Sequence, residues 1–257
     1  MKIISFLVLL SLQIYTSHSS SYINCVYNYH FSQALGVVYQ CVVVTSLDYD
    51  SKNHEVYTDY NPINNQVFGF VANYKYLQYF PKGVDRIFKN LQLIHLRKNS
   101  IKTVSFRDLS PYPELKELDL AYNLIEVVDD LFFRASPKLE FLSLTRNKIF
   151  HIDARSFDGL HNLRFLHLYA NPCIDMDAHS NRNEVLNITM EARTSCTNQK
   201  YLDFSRKLEQ IESASSSRPP NEIQRILYNF EHELNSSQLA NVWVLRERVN
   251  NIQNRVA

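Results

Sequence analysis

An asparagine recurs every 24 residues, at Asn99, Asn123, Asn147 and Asn171. Leucine-type residues hold fixed places before each one: Leu91, Ile94 and Leu96, then Leu115, Leu118 and Leu120, then Leu139, Leu142 and Leu144, then Leu163, Leu166 and Leu168. Four copies of L-x-x-L-x-L-x-x-N without slippage restrict the chain to a stacked solenoid. Alternation puts the apolar side chains of each copy on one face of a short strand, pointing into a shared core. The asparagine stands where that strand turns out of the sheet. Its amide both donates and accepts, which suits backbone groups that the turn leaves unpaired. Ile101, Val104 and Leu109, then Ile125, Val128 and Phe133, then Ile149, Ile152 and Phe157 follow two, five and ten residues after the asparagine and form the opposite wall. A degenerate earlier copy is read at Val67, Phe70 and Ala72, with Lys75 in the asparagine's place and Leu77 and Phe80 after it. No single copy buries enough apolar surface to offset the entropy of ordering it, so stacking and end caps are required.

The period and pattern are those of a leucine-rich repeat. The expected fold class is an α/β solenoid: a short leucine-rich-repeat array with a 24-residue period, disulfide-linked caps and a C-terminal helical tail. The expected organisation is a signal peptide over 1–19, an N-terminal cap over 20–66, repeats over 67–172, a C-terminal cap over 173–211, a linker over 212–220 and a helical, coiled-coil-like tail over 221–257. Lys2, the apolar run Ile3–Leu12 and the small-x-small step Ser17-His18-Ser19 have the layout of a secretory leader. That run is too short to span a bilayer, and no later stretch is long and apolar enough, so a secreted, extracellular chain without a membrane anchor is expected.

Four cysteines fit an oxidising compartment. They allow three pairings, but the repeat array separates them two and two. Cys25–Cys41 and Cys173–Cys196 are therefore expected, one bridge per cap. Zinc binding through cysteine is disfavoured because the C-x₂₋₄-C spacing is absent. Two strands around Cys25 and Cys41, with a turn at Ser32 to Gly36, predict a hairpin over the open end of the solenoid. Asn187-Ile188-Thr189 and Asn235-Ser236-Ser237 are N-glycosylation sequons, at Asn187 and Asn235.

The segment Glu212 to Pro220 reads as a polar linker. Beyond it, Ile223, Leu227, Phe230 and Leu234, then Val242, Leu245, Val249, Ile252 and Val256, recur at helical spacing, with a one-residue drift across Asn235 to Ser237. This is either a coiled-coil-like seam for a second chain, giving a homo- or hetero-oligomer through the tail, or a helix docked on its own solenoid. The second chain is the expectation, because the linker detaches the helix.

Net charge is +1 and no basic block stands out, so nucleic acid is not an expected partner. Only four glycines occur in 257 residues, and no phosphate-loop motif is present. Histidines at 95, 151, 161 and 167 fall in repeats without a catalytic motif; a His95–Asp119 contact would read as a surface ion pair. No catalytic residue, metal ligand or cofactor is assigned, and the protein is not expected to be an enzyme. What remains is binding of a protein partner on the concave face. Its columns are Gly69, Leu93, Glu117, Phe141 and Phe165; Val71, His95, Asp119, Ser143 and His167; and Asn73, Arg97, Ala121, Thr145 and Tyr169. Phe141, Phe165 and Tyr169, beside His167 and Arg146, form an aromatic patch of the kind that dominates binding hot spots. These rings are either an open recognition surface or the seat of the C-terminal cap. A matrix or adhesion component and an inhibitor of a secreted enzyme are the alternative roles.

The leader, the N-terminal cysteine pair, the repeats, the Asn171-Pro172-Cys173 junction and the helical tail, in that order, resemble secreted leucine-rich-repeat proteins of insects, including the mosquito leucine-rich-repeat immune proteins. The resemblance implies protein recognition in haemolymph, beside complement-like partners, and a role in innate immunity. The tail carries no cysteine, so the interchain disulfide of some of those proteins has no counterpart here.

Overall fold

A computed structural model describes residues 20–44, 55–57, 62–129, 132–240 and 242–256. The leader read over 1–19 lies outside the described residues. Each repeat contributes one three-residue strand to the concave sheet: β5 (Gly69–Val71), β6 (Leu93–His95), β7 (Glu117–Asp119), β9 (Phe141–Ser143) and β11 (Phe165–His167). These strands are parallel and in register at steps of 24, so Gly69, Leu93, Glu117, Phe141 and Phe165 form one column. On the opposite wall, β8 (Val127–Val128) pairs with β10 (His151–Ile152), and short helices α1 (Val84–Ile87) and α2 (Phe106–Leu109) turn the chain back. The repeat leucines and isoleucines fill the core between the walls, and the degenerate copy at Val67, Phe70, Ala72, Leu77 and Phe80 joins it fully buried.

The asparagines cross-link neighbouring copies. Asn123 Nδ2 donates to Leu120 O at 3.0 Å in its own repeat and to Leu96 O at 2.9 Å in the one before, while its Oδ1 accepts from Ile101 N at 3.0 Å. Asn147 repeats this with Leu144 O, Leu120 O and Ile125 N, and Asn171 with Leu168 O, Leu144 O and Ile149 N. Asn99 bonds Leu96 O and Ala72 O and accepts from Lys75 N and Leu77 N. Only a side chain with a donor and an acceptor on one planar group can make both bonds. Lys75, a donor alone, ends the series.

At the N-terminal end, β2 (Cys25–Ser32) and β3 (Gly36–Val43) form the expected hairpin, joined by Cys25–Cys41 with Cα atoms 5.2 Å apart. Gly36, at φ 74°, closes its turn in a region that few side chains tolerate. β3 adds parallel to β5 and extends the sheet. Gly69 is required there, because a Cβ would lie 2.7 Å from Gln40 Cβ. A separate short parallel pair is formed by β1 (Ser20–Tyr22) and β4 (Glu55–Tyr57). At the C-terminal end, β12 (Asp177–Ala178) runs antiparallel to β11, and α3 (Arg182–Ser195) seals the last copy through Val185, Ile188 and Ala192. Cys173–Cys196 ties it down, with Cα atoms 5.1 Å apart.

The tail departs from expectation. It is two helices, α5 (Pro220–Asn235) and α6 (Trp243–Val256), which pack with α4 (Gln199–Ala214) into a three-helix unit. The drift in the apolar spacing at 235–237 is the turn between α5 and α6. Residues 212–214 are the end of α4 rather than linker. Ser213 and Ser215 satisfy their hydroxyls on carbonyls three residues back, and Glu212 pairs with Arg248 at 2.9 Å. The short turn left over 215–219 folds α5 back along α4. The seam Ile223, Leu227, Phe230, Leu234, Leu245, Val249 and Ile252 is thus covered within the chain, against Phe204, Leu208, Val127 and Phe150.

The unit lies along one flank of the array, on the third and fourth positions after each asparagine turn. The Trp243 ring meets the Tyr79 ring at 6.1 Å and Lys102 Nζ at 5.4 Å. Trp243 N donates to Glu126 Oε2 at 2.8 Å, and burial raises that carboxyl's pKa against this bond. Tyr201 meets Phe150 at 5.7 Å and His151 at 4.8 Å, and burial pushes its phenol up to about 12. Among the described residues, no helix is long and apolar enough to cross a membrane.

Two measurements check this account. Asn123→Ala or Asn147→Ala should each cost about 1–3 kcal/mol in urea unfolding, since buried backbone groups lose their partner, while Lys75→Ala should change little. Equal losses at all three positions would contradict the cross-link. Leu245→Ala should cost about 2–5 kcal/mol with no change of mass by light scattering; a dissociating oligomer would show the seam to lie between chains.

Candidate functional site

The three columns read from the sequence are the columns of the sheet, but they do not form one open surface. The N-terminal half is closed by the tip of the β2–β3 hairpin. Ser32 is buried there; its Oγ accepts from Ala34 N and Leu35 N at 3.1 and 3.0 Å and donates to Glu117 Oε2. Glu117 Oε1 sits 2.7 Å from His95 Nε2, and the His30 ring stands edge-on to His95 at 6.1 Å. Leu93, Glu117, Asp119 and Ser143 are all buried. They leave the set of freely exposed contact residues. His95 bonds Glu117, not Asp119; Asp119 instead receives Ala121 N at 3.0 Å and faces Arg97 at 3.5 Å. Residues 95 and 119 are in-register partners on adjacent strands, yet the imidazole reaches the Glu117 carboxylate, which is also held by Ser32.

Burial alone would raise the Glu117 carboxyl, yet hydrogen bonds from His95 and Ser32 and the nearby imidazole outweigh it and hold its pKa below 4.5. Asp119, burial dominant, lies above its ordinary value.

The C-terminal half is open. Phe141 and Phe165 are half-buried with ring centroids 5.9 Å apart, and His167 stands 5.3 Å from Phe141. Tyr169 is 45% exposed. From the cap, β12 extends the sheet edge beside β11, and Asp177 and His179 lie against His167. Thr145 is half-buried, and Arg97 and Arg146 are exposed.

A further column was not read from the sequence. The residue before each asparagine, and before Lys75, sits in the left-handed region: Tyr74 at φ 58°, Lys98 at 53°, Tyr122 at 58°, Arg146 at 53° and Ala170 at 55°. Bulky residues enter this region only where surroundings enforce it, and here the neighbouring asparagine bonds hold the turn. The column alternates ring and cation. Lys98 Nζ lies 4.7 Å from the Tyr74 ring and 5.2 Å from Tyr122; the Arg146 guanidinium lies 5.4 Å from Tyr122 and 6.0 Å from Tyr169. It forms a rim beside the open rings. The signal was present as one more register of the 24-residue period.

The sequon asparagines are exposed: Asn187 midway along α3, and Asn235 at the last residue of α5, where Arg246 donates to its amide oxygen. No metal ligands were assigned from the sequence; the structure brings His167, Asp177 and His179 together at the end of the concave face.

The family profile described as Leucine rich repeat matches residues 113–172, and no enzymatic family is indicated. Among solved structures, the chain is similar to one from the Toll–Spatzle complex of Drosophila, with 25% identity over 42% of this chain and 14% of that one, at a TM-score of 0.39. It is similar to a chain of the LRIM1/APL1C complex, with 20% identity over 58% of this chain and 31% of that one, at 0.46. It is also similar to the leucine-rich-repeat ectodomain of the receptor kinase SOBIR1 from Arabidopsis thaliana, with 22% identity over 57% of this chain and 79% of that one, at 0.36. The matches span under a third of the length of the first two. No curated protein matches the sequence.

A pH series tests the closed half. Glu117 has a folded pKa below 4.5, so its contribution is present above that value and lost as pH falls through the lowered one. Wild type should exceed Glu117→Gln in urea stability at neutral pH, and the gap should shrink below pH 4.5. A gap that stays constant into acid would show that the carboxylate's charge is not what matters.

Proposed function

We propose that the protein is an extracellular recognition module that binds a protein partner on the C-terminal half of its concave face. The carrying observation is the combination of the half-buried Phe141 and Phe165 and the exposed Tyr169 with the adjoining rim of Tyr122, Arg146 and Lys98. Aromatic rings and arginine are the residue types that give most binding energy per contact. Phe141 and Phe165 stand on short, paired strands, so little backbone freedom remains to be lost there on association. The buried Leu93, Glu117, Asp119 and Ser143 take no part in contact, and Glu117 holds the hairpin through Ser32.

The two disulfides fit an oxidising compartment, and the leader read over 1–19 supports secretion. The order of parts shared with insect immune proteins of this repeat class supports a role in innate defence. Because the tail's apolar seam is covered within the chain, a partner engages the concave face and rim rather than a coiled coil.

The test uses the full chain and the combined variant Tyr122→Ala, Arg146→Ala, Tyr169→Ala as immobilised baits in extracellular fluid of the source organism. A partner held by wild type and lost by the variant, with melting temperatures within a few degrees of each other, is the expected result. Equal capture by both would place binding elsewhere. A large drop in melting temperature would assign these residues to stability.

A further inference from the structure

The loop after the last repeat brings three metal-ligand side chains onto one face of one strand pair. β12 runs antiparallel to β11 and sets Asp177 directly opposite His167. Side chains two positions apart on an extended chain share a face, which brings His179 beside Asp177. His167 Nδ1 lies 3.4 Å from Asp177 Oδ1. The rings of His167 and His179 have centroids 4.8 Å apart. One ligand atom from each of the three lies within 4.8 Å of the other two.

We propose that His167, Asp177 and His179 bind a divalent transition-metal ion of the zinc class. Calcium and magnesium take oxygen ligands, whereas two imidazoles and one carboxylate suit zinc. Bonds of about 2.0–2.2 Å put donor atoms around a tetrahedral ion roughly 3.4 Å apart. His167 and Asp177 already stand at that separation. His179 is exposed and closes the remaining gap by rotating its ring. The backbone around the ligands is tied down: Asp177 Oδ1 accepts from the Tyr169 backbone N at 3.2 Å, and the His179 backbone N donates to Glu184 Oε2 at 3.0 Å. Three protein ligands leave a fourth position for water, on the open end of the concave face. The spacing H-x₉-D-x-H matches no sequence signature, since the first ligand comes from a different strand.

Titration of the full chain with zinc chloride, followed by calorimetry, should saturate at one ion per chain. Cobalt(II) in its place should give a visible ligand-field band. His179→Ala should weaken zinc binding at least about tenfold and abolish the band, with an unchanged far-ultraviolet spectrum since the side chain is exposed. Asp177→Asn should weaken binding similarly. His161→Ala, an exposed histidine outside the cluster, should bind as wild type does. Absence of saturable uptake overturns the assignment. So does equal affinity in wild type and His179→Ala, which would make any uptake adventitious surface binding.

Discussion

Everything in this molecule hangs on an amide that bonds in two directions. Each ladder asparagine ties the end of its own strand to the carbonyl at the end of the preceding strand and receives the amide hydrogen that follows the preceding turn. The apolar core supplies the larger part of the driving force, but it is indifferent to register. The asparagine is not. It works only if the next copy is displaced by one repeat and in phase, and so it converts a sticky apolar face into parallel strands at a fixed step. The left-handed residue before it follows from the same bond, and that residue's side chain becomes the rim of the concave face.

What the sequence revealed and what it hid divide along the same line. Features repeated at 24 residues were legible: the strands, the core positions, the degenerate copy at Lys75 and the separation of the two disulfides. Features made by single segments folding onto the array were not. Leu93, Glu117, Asp119 and Ser143 occupy concave positions by period, yet they are buried, and Glu117 is bonded by one serine at the hairpin tip. Nothing in the pattern of Ser32 marks that bond. The tail's apolar residues were visible, and even the turn between α5 and α6 left its trace as a drift in spacing. Their target was not visible, because a helix that packs on neighbouring helices and one that packs on a second chain carry the same stripe. The Tyr74–Lys98–Tyr122–Arg146 column was legible in principle, but it lies three positions past the end of each strand.

The concave face is accordingly divided by its own N-terminal cap. The half nearest the hairpin is a buried polar network in which Glu117 is the shared acceptor. The far half keeps its rings available. The division gives the cap two tasks, closing the end of the core and restricting where on the face a partner can sit.

The three-helix unit has a consequence for the repeats themselves. Trp243 rests on Tyr79 and Lys102 near one end of the array, and Tyr201 rests on Phe150 and His151 near the other. A solenoid of this class ordinarily grows or shrinks by whole units, since each unit knows only its neighbours. Here a rigid splint touches copies that are not adjacent. Adding or deleting one copy between Tyr79 and His151 would move the two footholds apart or together by the width of a strand, and the splint could hold only one of them. The length of the array is therefore written into the helices that lie along its side.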